Sequence, residues 1–101
     1  MSWHIVCSIE EIPERGARTV RFNGKEVAVF RLSNGSVAAV DNRCPHGGGP
    51  LAEGIVAGKL VSCPLHGWRI DLDSGRVVAP ESGVVARYET KTEDSRLWIR
   101  I

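Results

Sequence analysis

Short β-branched and aromatic runs alternate with turn pairs along this chain. Asn23-Gly24, Asn34-Gly35, Ser74-Gly75 and Ser82-Gly83 read as turns. Residues 19–22 and 26–30 flank Asn23-Gly24-Lys25, which predicts a hairpin. Residues 37–40 follow the next turn as a strand. Ile55-Val56 and Leu60-Val61 flank Ala57-Gly58-Lys59 as a second, shorter hairpin. Residues 68–72, 84–90 and 97–101 complete the set, and Arg96 to Ile101 alternates polar and apolar as a half-buried strand does. No long window carries a 3.6-residue period; residues 8–13 make at most one turn of helix. The pattern predicts a single all-β domain over 1–101, a small antiparallel barrel or sandwich.

Two segments break the rhythm. Cys44 to Leu51 reads CPHGGGPL and Cys63 to Trp68 reads CPLHGW. Both are rich in proline and glycine and both follow a strand, so both are loops. Loops on a rigid β scaffold are where binding chemistry concentrates.

Composition narrows the chemistry. A domain of 101 residues buries a modest share of its surface and gains from a staple such as a bound metal. A net charge of +1 without runs of like charge argues against nucleic-acid binding. No stretch approaches the ~20 apolar residues of a membrane span. The start, Met1-Ser2-Trp3-His4-Ile5, lacks the pattern of a secretory signal, so the expected location is the cytoplasm. Three cysteines, odd in number and widely spaced, do not suggest a disulfide framework.

The loops supply Cys44-x-His46 and, after sixteen intervening residues, Cys63-x-x-His66. Two thiolates and two imidazoles form a complete ligand set. Three readings compete: buried cysteines with incidental histidines, a structural zinc site that stabilises an interaction module, and a cluster with two cysteines on one iron and two histidines on the other. Zinc pairs usually run Cys-x-x-Cys and His-x₃₋₅-His. Here each loop mixes the two donor types.

CPHGGGPLAEG and CPLHGWRIDLDSG resemble the Rieske domain, and the likeness runs from about Trp3 to Ile101. It implies stacked small antiparallel sheets with a cluster-binding subdomain at about 42–70, made of the two loops. It implies a [2Fe–2S] cluster with Cys44 and Cys63 on the inner iron and His46 and His66 on the outer one. Pro45, Gly47, Pro64, Gly67 and Trp68 would surround it. Replacing two thiolates by neutral imidazoles removes two negative charges, which raises the potential above the roughly −400 mV of plant-type ferredoxins.

High-potential respiratory members of the family carry a disulfide clamp between the loops, and a Ser and a Tyr that hydrogen-bond sulfur. The matching positions here are Gly49 and Leu65, and Trp68 and Ile70. The expected potential is therefore near the low end of the Rieske range, roughly −150 mV.

The resemblance implies a one-electron carrier between a reductase donor and a larger oxidoreductase. Trp68, Ile70-Asp71-Leu72 and the Pro80…Gly83…Tyr88 segment favour the small subunit of NAD(P)H-dependent assimilatory nitrite reductase over the ferredoxin of a ring-hydroxylating dioxygenase. Only His4 remains beyond the ligand pairs, too few for a non-haem oxygenase centre.

Gly47 to Ala52 nominally fits G-x-G-x-x-A, but Pro50 interrupts it and no βαβ unit surrounds it. Cys7 reads as a small buried hydrophobe, His4 as a surface or strand histidine, and Trp3 and Trp98 as core or edge packing. Arg43, Lys59 and Arg69 flank the loops, either as ordinary solvated charges or as a docking aid for an acidic partner.

Overall fold

The computed structural model describes residues 2–101, and among them the fold is all-β. Nine strands form: β1 (Trp3–Ser8), β2 (Ala17–Phe22), β3 (Lys25–Arg31), β4 (Val37–Asp41), β5 (Ile55–Ala57), β6 (Leu60–Ser62), β7 (Arg69–Asp71), β8 (Arg87–Glu93) and β9 (Arg96–Arg100). A six-stranded antiparallel sheet runs β1-β9-β8-β4-β3-β2, and a three-stranded one runs β5-β6-β7. Single 3₁₀ turns occupy Ile9–Glu11 and Leu51–Glu53.

β3 explains the layering. Successive side chains of a strand point to opposite faces. Val27 and Val29 enter one core with Cys7, Ile12, Ala39, Leu97 and Ile99. Ala28 and Phe30 enter a second core shared with the three-stranded sheet. All four β3 residues are fully buried, each large one contributing about 1.5–3 kcal/mol. His4 of β1 packs on Phe22 of β2 with ring centroids 4.9 Å apart, so the two edges of the large sheet approach each other.

The hairpins behave as the turn chemistry demands. Asn23 and Gly24 both take positive φ, 49° and 80°, and join β2 to β3 in two residues. β8 and β9 use the same device without glycine: Asp94 and Ser95 sit at φ 53° and 61°. The strand expected over 84–90 is displaced. β8 begins at Arg87, and Val84 makes only an isolated bridge to Arg76. Val85 turns into the second core instead.

Tyr88 ties β8 to the end of β4, its hydroxyl donating to Asp41 Oδ1 at 2.5 Å. Burial first, then the Asp41 hydrogen bond and charge, push the Tyr88 hydroxyl up to about 12. The raised value means that the fold favours the neutral phenol. Its stabilising contribution is full below the ordinary value near 10 and is lost as pH rises towards about 12. The melting temperature is expected to fall more steeply between those limits in the native protein than in Tyr88→Phe. Parallel pH profiles would contradict this.

Candidate metal centre

Both cysteine loops grow out of the second core. The first follows β4; the second joins β6 to β7. Cys44 and Cys63 are 2% and 3% exposed and belong to that core, so both thiols sit on rigid ground.

The two loops share one hydrogen-bond frame. In the first, the Cys44 N–H donates to the Gly49 carbonyl (2.8 Å) and the Gly48 N–H donates to the Cys44 carbonyl (3.0 Å). In the second, the Cys63 N–H donates to the Trp68 carbonyl (2.7 Å) and the Gly67 N–H donates to the Cys63 carbonyl (3.0 Å). Gly48 and Gly67 hold the same place and nearly the same left-handed φ, 74° and 72°, which a side chain would strain. Within this frame His46 lies two residues after its cysteine and His66 three. Leu65 takes the place of His46, and Gly47 that of His66.

The donors come together in two pairs. The His46 and His66 rings meet edge-on with centroids 4.4 Å apart. The thiols of Cys44 and Cys63 are neighbours. Burial pushes the Cys44 thiol up, the His46 backbone N–H opposes this, and the Cys63 thiol adds to the rise. Metal binding would therefore release protons. Among the described residues, no three or more His, Cys, Asp or Glu side chains gather where one ion could hold them together.

His46 Nδ1 is buried without a hydrogen-bond partner. Such an atom is costly unless something binds it, and a metal suits a neutral imidazole nitrogen. Two thiolates, two imidazoles and this orphaned nitrogen fit a two-iron cluster with mixed ligation. Gly49 and Leu65, the positions matched to the respiratory clamp, face each other: a Cβ on Gly49 would lie 3.0 Å from Leu65 Cγ. The three cysteines are free, and Cys7 is buried apart from the loops in the first core.

Trp68 stacks on His46 with ring centroids 4.2 Å apart and planes 8° from parallel. It is half-buried against the second core, while His66 is exposed. Trp68→Ala is expected to speed iron release and shift the potential. Unchanged values for both would reduce the stack to ordinary packing.

Asn42 escaped the sequence reading. It is the one buried polar side chain among the described residues. Its backbone N–H donates to the Glu26 carbonyl (2.9 Å) and its Nδ2 donates to Glu26 Oε1 (2.7 Å). Its Oδ1 accepts from the Ala52 N–H (2.7 Å), so one side chain closes the base of the first loop. Asn42→Ala leaves that N–H and Glu26 Oε1 without these partners, while Arg21 still holds Glu26 Oε2, a loss of about 1–3 kcal/mol. Urea denaturation is expected to show it, with faster iron release to a chelator. An unaltered midpoint would remove the clamp.

Lys59 pairs with Asp71 (3.5 Å) and Asp73 (3.8 Å), which reads as surface charge. Arg43 and Arg69 have no ion pair among the described residues.

Comparison with known proteins defines the class. Residues 2–89 match the family model of the Rieske [2Fe-2S] domain, and the chain belongs to that family. It is therefore a Rieske-type electron carrier whose cofactor is a [2Fe–2S] cluster. It is 35% identical over 98 residues to the ferredoxin component of the naphthalene 1,2-dioxygenase system of Pseudomonas aeruginosa, covering 96% of this chain and 93% of that one. It is 31% identical over 101 residues to the ferredoxin component of the naphthalene 1,2-dioxygenase/salicylate 5-hydroxylase systems of a Ralstonia species, covering 99% and 96%. Among solved structures, a chain assigned as the NADH-dependent nitrite reductase small subunit of Mycobacterium tuberculosis superposes with a TM-score of 0.90. The identity is 27%, over 99% of this chain and 96% of that one. No helix among the described residues is long and apolar enough to cross a membrane.

Proposed function

We propose that Cys44, Cys63, His46 and His66 hold the cluster, with residues 42–70 as its binding subdomain, and that the chain is the ferredoxin of an oxygenase system. The observation that supports the ligand assignment is the shared loop frame, with the two histidine rings in contact and the two thiols buried as neighbours. When bound, the cluster supplies one-electron exchange between ferric and ferrous iron.

The protein's own groups do the rest. The core fixes the thiols, glycine-closed turns bring backbone close, Trp68 orients and covers His46, and His66 stands at the surface. Pro45, Gly47, Pro64 and Gly67 shape the turns around these donors. A reductase would reach the same face as the acceptor. Cytoplasmic residence completes the proposal.

The near end-to-end identity of 35% to a dioxygenase ferredoxin supports the oxygenase role. The nitrite reductase small subunit is the second reading, favoured by the 0.90 superposition and by the segment after His66. A zinc-stabilised module is not favoured, because each loop mixes a cysteine with a histidine instead of pairing like donors.

Electron paramagnetic resonance of the dithionite-reduced protein tests the ligand assignment. A rhombic signal with an average g clearly below that of an all-cysteine [2Fe–2S] centre is expected. Absence of a signal, with stoichiometric zinc, would overturn it. Turnover with a naphthalene dioxygenase oxygenase component, set against turnover with a nitrite reductase large subunit, separates the two roles.

A further inference from the structure

Leu65 and Val84 are large apolar residues left 56% and 67% exposed, and both stand beside the ligand loops. Leu65 lies against Gly49, and His66 against Gly47, whose Cβ position is 3.5 Å from His66 Cε1. Gly47, Pro45 and Val84 border one open cleft of about 420 Å³ together with Arg43. An unbroken face therefore runs from Leu65 through His66, Gly47 and Pro45 to Val84.

Arg43 also borders a second cleft, of about 370 Å³, with Lys25, Glu26 and Asp41. The charges there do not cancel. Arg21 neutralises Glu26 (2.9 Å), whereas Asp41, which borders both clefts, keeps its charge while accepting the Tyr88 hydroxyl, so Arg43 and Lys25 exceed the unpaired carboxylate by one charge. Exposed Arg43 and Lys25 have no ion pair among the described residues. Glu53 and Glu81, the remaining acidic residues of this region outside the Lys59 pairs, line neither cleft.

We propose that this face docks a protein partner presenting an apolar patch edged by carboxylates, with Arg43 and Lys25 meeting the acidic edge. The proposal rests on the electron-carrier reading and adds the polarity of the partner. Because net charge is only +1, steering must come from these local cations rather than from the molecule as a whole. Charged groups edging an apolar contact set on-rate and reject wrong partners more than they add affinity.

Small oxidants of opposite charge probe this field directly. The reduced, full-length holoprotein is mixed in stopped flow with ferricyanide and, separately, with hexaammineruthenium(III). Between about 10 mM and 0.3 M salt, where the Debye length shrinks from roughly 30 Å to a few Å, the ferricyanide reaction is expected to slow several-fold. The ruthenium reaction is expected to accelerate. In the double variant Lys25→Glu, Arg43→Glu both slopes should reverse, with the paramagnetic resonance spectrum unchanged.

Slopes of the opposite sign in the native protein, or slopes indifferent to the double variant, overturn the docking polarity alone. A holoprotein that reduces neither oxidant overturns the electron-carrier reading, and the docking proposal with it.

Discussion

An alanine at position 49 is expected to strip the protein of most of its iron. The Cβ would lie 2.8 Å from Cys63 Sγ and 3.0 Å from Leu65 Cγ. Leu65 is exposed and can swing aside. The Cys63 sulfur cannot, because the residue is 3% exposed and rooted in the core. Backbone strain is not involved, since Gly49 is outside the left-handed region. The cost falls on one atom, a proposed iron ligand. Overpacking of this kind costs about 1–3 kcal/mol, which weakens retention by roughly five- to a hundred-fold at 1.4 kcal/mol per decade. Iron per protein and visible circular dichroism read the loss. Gly58→Ala, whose Cβ meets open space at a left-handed φ of 60°, adds backbone strain without touching a sulfur; it is the control and should keep its iron. Full iron in Gly49→Ala would mean that the Cys63 sulfur is not held where the proposed site needs it.

The second large effect concerns the histidines. Replacing both, His46→Cys with His66→Cys, adds two negative charges at the outer iron. The potential is expected to drop from roughly −150 mV towards the −400 mV of all-cysteine ferredoxins. The average g should rise in step. Protein-film voltammetry and paramagnetic resonance check the two together. The single variant His66→Cys should fall between, because this ligand is exposed and its replacement leaves the Trp68–His46 stack in place. A double variant that keeps the native potential and spectrum would remove the histidines from the ligand set.

The chemistry of the site was more legible in the sequence than its geometry. Donor identity is a residue-type property, so Cys44, His46, Cys63 and His66 stood out from their spacing and their Pro/Gly setting. The β2–β3 hairpin was equally plain because Asn23-Gly24 announces its turn. The β8–β9 turn was not, because Asp94-Ser95 adopts the same backbone without glycine. The first strand was missed as well. β1 slips register between Ile5 and Cys7 on β9, which breaks the period-two pattern that would have marked it. The Val84 to Thr90 run misled in the opposite sense, since its apolar start serves the core and the surface instead of a ladder. Asn42 owes its role to tertiary partners, Glu26 and Ala52, which no local pattern encodes. Trp68 was legible as a neighbour of the cluster from its place after His66-Gly67, but its choice of His46 as stacking partner was not.

The common loop frame bears on the kinetics of exchange. Its last position holds Gly49 in one loop and Trp68 in the other. The indole covers His46, whereas Gly49 has no side chain with which to cover His66. With the proposed ligands, the exposed terminal would be His66 alone. Donor and acceptor would then use it in turn, so each should inhibit the other competitively and no productive three-protein assembly should form. Turnover at high concentrations of both would be limited by dissociation of the carrier, and a covalent tether to either partner would slow the other.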